Sequence, residues 1–477
     1  MGGSGTHFAC TACGHQAPSW MGRCPGCGEW NTLVEETDHS AAHRGAPGGR
    51  RRASKARRPV RLAEVDSVQL ERLETCSAEL DRVLGGGLVP GSILLIGGSP
   101  GIGKSTLMSS TLAALEREGR RTLYVSGEES AAQIRLRAER LGADALAVPV
   151  LAETSLESVI ASLEAERPDV CVVDSIQTLH AEVLSGAPGS VGQVREVAAR
   201  LERFARQRSC TVILVGHVTK DGALAGPRVL EHAVDCVLQF EGERERSYRV
   251  LRVLKNRFGA TNEVGVFEMR AGGLTEVSDP SARFVREASP VPGSCMLCAM
   301  EGSRPLLVEV QALVAPTDVV PPRRIANGIE RNRLGLVLAV LSRHVGPRAG
   351  GGAALAAADV FVSLAGGVRV EEPGADLAVA LAVASAACAT PAGGGDRPLA
   401  CFGEVGLTGE LRYVAHADRR VEEAARFGLE RVVAPAACFE GDATGSSAGG
   451  CIHGAQTLGD ALTLALDLDT RVEIQAA

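Results

Sequence analysis

Gly98-Ser99-Pro100-Gly101-Ile102-Gly103-Lys104-Ser105-Thr106 has the residue types and the spacing to hold a polyphosphate. Its glycines leave room for backbone N–H groups to curl around a phosphate, because no Cβ stands in the way. Lys104 offers a mobile positive charge to the outer phosphates, and the Ser105 hydroxyl is placed to hold Mg²⁺. Other residues carry matching chemistry. Asp174 ends the apolar run Val170-Cys171-Val172-Val173, where a carboxylate can hold Mg²⁺ through water. Glu128, in Ser126-Gly127-Glu128-Glu129-Ser130, can orient a water at the outer phosphate; the alternative is a helix-opening acid that complements the macrodipole. His217 either senses that phosphate or is an ordinary histidine. The chemistry these groups share is hydrolysis of Mg²⁺-bound ATP.

A second set of residues points to a metal. Cys10-x-x-Cys13 and Cys24-x-x-Cys27 sit in turns rich in small residues. Four thiolates from two such turns close a tetrahedron, the geometry of structural zinc. A pair of redox dithiols is the alternative, although that chemistry uses a single C-x-x-C near a βαβ unit. In so short a module the metal supplies most of the folding energy. Trp20 and Trp30 bracket the second pair and are expected to pack on it, while His7 and His15 read as surface residues. Cys295-x-x-Cys298 has no second pair and reads as two packing residues rather than a metal site.

The phosphate-binding residues need strands that end side by side. Apolar runs at 92–97, 121–126, 170–174 and 211–216 alternate with helical stretches, which gives a mostly parallel α/β sheet. Segments near 234–240 and 248–254 read as an antiparallel extension. Two loops, 179–195 and 218–228 (the latter with Lys220 and Arg228), follow strand ends; in RecA-like motors, which this arrangement resembles, such loops face a pore and hold single-stranded DNA through its backbone.

Composition bounds the rest. At 477 residues the chain holds more than one domain, and its 45% hydrophobic and 3% aromatic content implies aliphatic cores. The net charge of −7 announces no global affinity for nucleic acid. No apolar run approaches the ~20 residues of a membrane span, and the N-terminus lacks a basic–apolar signal pattern. The 14 cysteines, mostly in apolar runs outside the metal motif, fit a reducing compartment, so a cytoplasmic location is expected. The domain reading is a four-Cys zinc finger at 1–34, a basic linker at 35–60, an ATPase domain at 61–285 and a further domain at 286–477. The linker, with Arg44, Arg50, Arg51, Arg52, Lys55, Arg57 and Arg58, is either a solvated tether or a phosphate-contacting arm.

The ATPase segment resembles RecA-type recombination ATPases and hexameric helicase motors. The resemblance narrows at Lys255-Asn256-Arg257-Phe258-Gly259 to the bacterial RadA (Sms) family of DNA-repair proteins. It takes in the four-Cys N-terminus, the phosphate loop, Ser126 to Ser130, Asp174-Ser175-Ile176-Gln177-Thr178 and Glu301-Gly302-Ser303-Arg304-Pro305. The C-terminal half is similar to the proteolytic domain of Lon, with Gly403-Glu404-Val405-Gly406-Leu407-Thr408-Gly409-Glu410-Leu411 as a shared segment. The fold expected is therefore α/β: a RecA-like P-loop core, an N-terminal zinc ribbon and a C-terminal α+β Lon-like domain.

The resemblance also implies a function. It is a DNA-dependent ATPase of recombination and repair, a homo-hexamer on single-stranded and branched DNA, associated with the nucleoid. It would promote branch migration and work with the RecA recombinase and the replicative helicase. Lys255 and Arg257 would complete a neighbouring subunit's site as cationic fingers. Proteolysis is not implied, because Gly374 stands where Lon has its serine and Asp418 where it has its lysine. The remaining basic cluster, Arg323, Arg324, Arg331 and Arg333, would offer a surface to duplex DNA. The competing functions are an ATP-dependent Ser/Lys protease and a signalling ATPase indifferent to DNA.

Overall fold

The computed structural model describes residues 6–10, 15–26, 28–30, 32–37, 61, 71–216, 229–242, 248–345, 355, 357–365, 368–394, 397–439 and 451–466. Residues 38–60 of the basic linker, the 218–228 loop, His217, Cys13 and Cys27 lie outside these residues.

The N-terminal module is a three-stranded antiparallel sheet of β1 (Thr6–Cys10), β2 (Gln16–Ala17) and β3 (Leu33–Thr37), with β1 central. Strand β3 runs to Thr37 because it pairs along the whole of β1, so ordered structure extends three residues past the expected end of the module. Cys10 and Cys24 are buried in its small core. Trp20 and Trp30 do not pack as expected: they remain 57% and 69% exposed. The Trp30 ring lies under the Arg23 guanidinium, at 6.0 Å. So small a core has no apolar surface wide enough to cover an indole.

The ATPase segment is built on a nine-stranded sheet. Its elements are α1 (Ala78–Leu84), β4 (Ile93–Gly98), α2 (Lys104–Arg117), β5 (Thr122–Ser126), α3 (Ala131–Leu141), β6 (Val150–Ala152), α4 (Leu156–Glu166), β7 (Val170–Asp174), α5 (Val191–Arg208), β8 (Thr211–Val215), α6 (Val229–Ala233), β9 (Cys236–Glu241), β10 (Tyr248–Asn256), β11 (Val264–Arg270) and β12 (Gly273–Glu276). The strand order is β12-β11-β10-β9-β4-β8-β7-β5-β6. Strands β4, β5, β7 and β8, all rich in Val, Ile or Leu, are buried throughout, as strands of a parallel sheet are when helices cover both faces. Helix α5 buries Val194, Val197, Ala198, Leu201, Phe204 and Ala205, a stripe at helical spacing against that sheet.

One expectation needs correction here. Strand β9 pairs with β4 in parallel, from Leu94↔Cys236 to Gly98↔Phe240, so it belongs to the parallel core rather than to an antiparallel extension. Helix α6 supplies the crossover that a parallel neighbour requires. Strand β10 lies beside β9 in the sheet.

The C-terminal part starts with α7 (Pro280–Glu287) and continues through β13 (Ser294–Glu301), β14 (Arg304–Pro316), β15 (Arg324–Asn327), α8 (Arg331–Val340), β16 (Ala358–Leu364), α9 (Asp376–Cys388), β17 (Ala400–Cys401), β18 (Glu404–Val405), β19 (Leu411–Arg412), α10 (Ala417–Arg426), β20 (Arg431–Pro435), β21 (Cys451–Ala455) and α11 (Leu458–Leu466). Its seven-stranded sheet has the order β15-β16-β14-β13-β17-β20-β21 and mixes parallel with antiparallel pairs. Helix α9 is apolar all round and buried from Asp376 to Ser385, the mark of a central helix. The chain divides into two compact units, of which residues 242–250, 262–268 and 277–477 form the second.

Candidate nucleotide-binding site

The site forms where parallel strands end together. Register places Ser126 beside Asp174, Asp174 beside Val215 and Ile96 beside Val215, so the carboxyl ends of β4, β5, β7 and β8 share one rim. In open α/β sheets this rim is where ligands bind. The loop from β4 to α2 carries Gly101 at φ +76° and Gly103 at φ +118°, values that suit glycine. A Cβ on Gly103 would also stand 2.9 Å from the Met269 methyl. Helix α2 opens at Lys104 with no side-chain cap, which leaves its first N–H groups for a ligand.

A cavity of about 340 Å³ lies over this loop, lined by Pro100, Gly101, Gly103, Lys104, Ser105, Thr106, Ser126, Glu128, Glu129, Arg137, Asp174 and Met269. Lys104 Nζ donates to the carbonyls of Gly98 (2.7 Å) and Ser99 (3.1 Å). Burial pushes the Lys104 amine below its ordinary value, while the Asp174 and Glu128 carboxylates pull it back up. Ser105 Oγ donates to Asp174 Oδ2 at 2.5 Å. Glu128 accepts at Oε1 from Ser175 Oγ, 2.6 Å away. Glu128 precedes helix α3, which Ser130 caps in a reciprocal box with Gln133.

Two residues that sequence reasoning missed complete the arrangement. Tyr124 OH donates to Asp174 Oδ2 at 2.5 Å, and Arg137 reaches both Tyr124 OH (3.1 Å) and Glu129 Oε2 (2.5 Å). The available signal was a tyrosine between Leu123 and Val125 in a buried strand, in a chain with three tyrosines: a buried phenol needs a partner. As a donor set, a serine hydroxyl and a carboxylate in contact beside a lysine and a glycine-rich cradle fit a magnesium-bound nucleotide.

Comparison with known proteins is consistent with this geometry. Relatives named "DNA repair protein RadA" align along nearly the whole chain. The Bacillus subtilis protein is 47% identical over 441 residues, covering 91% of this chain and 93% of its own. The Pseudomonas aeruginosa protein is 50% identical, covering 90% and 92%. The chain belongs to the RadA family of DNA repair proteins. The profile described as "AAA domain" matches residues 57–223, and that described as "Rubredoxin metal binding domain" matches residues 8–35. An N-terminal zinc ribbon and an α/β P-loop ATPase core are thus established for this member of the family.

The ribbon match agrees with local geometry. Gly26 N donates to Cys24 Sγ at 3.3 Å, and Gly28 N donates to Cys24 O at 2.8 Å. An N–H aimed at sulfur suits a thiolate ligand.

The family's pentapeptide is tied into its own chain. Lys255 Nζ donates to the carbonyls of Glu231 (2.6 Å) and Val234 (2.7 Å), at the C-terminal end of α6. Arg257 pairs with Asp235 at 3.0 Å and keeps half its side chain exposed. Asn256 and Phe258 are fixed to the C-terminal end of α1, through Leu84 O and Arg72. Neither Lys255 nor Arg257 is among the residues lining the phosphate-loop cavity.

The 179–195 loop is shorter than expected: α5 begins at Val191, and the buried Gln193 side chain reaches back to it. Gln193 accepts from Ala181 N (2.7 Å) and donates to the carbonyls of Leu184 (2.9 Å) and Gly186 (3.0 Å). In the C-terminal unit the basic cluster is largely spent on its own carboxylates and carbonyls. Arg323 pairs with Asp359, Arg333 with Asp376, and Arg324 donates to Leu355 O. Cys295 and Cys298 are buried in β13, and Cys295 Sγ lies 3.2 Å from Cys401 Sγ.

Proposed function

We propose that the chain is a DNA-stimulated ATPase that works as a homo-hexameric motor on single-stranded and branched DNA, promoting branch migration together with a recombinase of the RecA type. The observation that carries this reading is the meeting of Lys104, Ser105, Asp174 and Glu128 in one cavity at the ends of parallel strands. The phosphate loop, residues 98–106, would hold the triphosphate, and Ser105 with Asp174 would hold magnesium, which supplies charge neutralisation on the phosphates. Lys104 turns from the Gly98 and Ser99 carbonyls to the phosphates. Glu128, held by Ser175, takes a hydrogen bond from the attacking water and fixes its direction.

Arg257 is the better candidate for a finger toward a neighbouring subunit, because its exposed guanidinium needs to release one carboxylate. Lys255 is bound to two carbonyls and serves instead to hold α6, which follows the 218–228 segment in the chain. DNA as substrate implies a cytoplasmic, nucleoid location. The zinc ribbon, Cys10, Cys13, Cys24 and Cys27, would recruit the recombinase or the replicative helicase. The domain limits proposed are 1–34, 35–60, 61–285 and 286–477, the last a Lon-like scaffold.

Against proteolysis stands the environment of Gly374. A Cβ there would lie 3.3 Å from the Arg420 guanidinium, and Arg420 is buried in a two-pronged pair with Glu372. Arginine stays protonated and cannot serve as the general base that a serine nucleophile needs. The test is the ATPase rate with and without single-stranded DNA, with mass by light scattering in parallel. Stimulation by DNA in an oligomer, abolished by Lys104→Ala, is expected. A monomer whose turnover ignores DNA would refute the motor and favour the signalling ATPase.

A further inference from the structure

We propose that Tyr124 and Arg137 are positioning residues that set the metal-holding carboxylate Asp174 and tie it to the loop carrying Glu128. The inference rests on the magnesium-nucleotide reading of the cavity. A tyrosine hydroxyl has one hydrogen to give. Arg137 Nη2 donates to that hydroxyl at 3.1 Å, and a guanidinium cannot accept, so the phenolic hydrogen is directed onto Asp174 Oδ2 at 2.5 Å. The same carboxylate oxygen accepts from Ser105 Oγ. With its own hydrogen committed to Asp174, Ser105 keeps its lone pairs for a cation. Two donors on one oxygen also fix the rotation of the carboxylate.

Arg137 extends the chain of contacts in the other direction. Its Nη1 donates to Glu129 Oε2 at 2.5 Å, next in sequence to Glu128. The guanidinium is held in place from below, over the Tyr124 ring at 5.6 Å, and from its own helix, whose start is locked by the Ser130–Gln133 box. Its side chain is 13% exposed while that of Glu129 is 39% exposed, so water screens the contact with Tyr124 less than the one with Glu129. One guanidinium therefore holds both the Tyr124 hydroxyl on β5 and the Glu129 carboxylate just after that strand, and groups in this position around a metal ligand govern affinity as well as rate.

The test uses the full-length protein and mant-ADP as a fluorescent probe, titrated with Mg²⁺ and, separately, in EDTA. Tyr124→Phe keeps the ring beneath Arg137 and removes the hydroxyl. The Mg²⁺ concentration for half-saturation should rise about ten- to a hundredfold, with affinity in EDTA unchanged. Arg137→Gln should give the same shift, and Arg137→Lys should not restore it, because one ammonium cannot span both partners. An unchanged Mg²⁺ requirement in Tyr124→Phe, or an equal loss of affinity in EDTA, overturns the relay. If the wild type binds mant-ADP without regard to Mg²⁺, or Lys104→Ala binds as well as wild type, the nucleotide reading falls and the relay with it.

Discussion

Gln193→Met tests whether the 181–186 segment is an ordered part of the machine. Methionine matches the volume of glutamine and fills the same space without hydrogen bonds. Gln193 is buried, and its amide serves Ala181 N, Leu184 O and Gly186 O. Ala181 is fully buried, so its N–H would lose its partner with no water in reach, at a cost of roughly 1–3 kcal/mol. Leu184 and Gly186 are partly open to solvent, and each lost bond there costs about 0.5–1 kcal/mol. The sum, about 3 kcal/mol, corresponds to an opening equilibrium raised roughly a hundredfold. Hydrogen exchange followed by mass spectrometry should show that increase in a peptide covering 181–186, with β7 and β8 unaffected. If the segment holds DNA, stimulation of the ATPase by single-stranded DNA should fall while the DNA-free rate stays the same. Exchange within threefold of wild type would refute the staple. Faster exchange with full DNA stimulation would leave the staple intact and remove the segment from the DNA path.

Other consequences can be measured. Arg420→Met removes one member of a buried pair that also bonds Cys298 O at 2.6 Å, and should destabilise the C-terminal unit by about 3–5 kcal/mol, read by exchange in β13 during urea unfolding. Adding Glu372→Gln should recover most of that loss; no recovery would mean that packing, not the stranded charge, sets the cost. Cys24→Ser should release about one zinc per chain to a colorimetric chelator, and a wild type without zinc would refute the ribbon's metal. Burial pushes the Cys210, Cys236 and Cys298 thiols up to about 12, so at pH 8 roughly one in ten thousand is thiolate. Raising the pH from 7 to 9 should therefore speed labelling of exposed Cys76 well before these three react, as judged by peptide mass after iodoacetamide. Early labelling of Cys298 would show that β13 opens.

The glycine-rich turn into α2, the carboxylate that ends β7, the parallel strands and the N-terminal ribbon were legible in the sequence because each rests on local rules. A glycine spacing, an apolar run ended by a carboxylate and a C-x-x-C turn all act within a few residues. The direction of β9 was not legible: a short apolar strand reads the same whichever way its neighbour runs, and only its seat beside β4 makes it parallel. The fates of charged side chains were hidden for the same reason. Lys255, Arg323 and Arg333 look like free cations in sequence, yet carbonyls and carboxylates far along the chain claim them. Tyr124 and Arg137 became part of the site through contacts with Asp174 and Glu129 that no spacing encodes. Sequence alone determined which chemistry the chain carries, since that is a property of residue types and near neighbours. Tertiary structure decided which of those groups remain available, because a hydrogen bond spent on a distant partner is invisible until the strands are side by side.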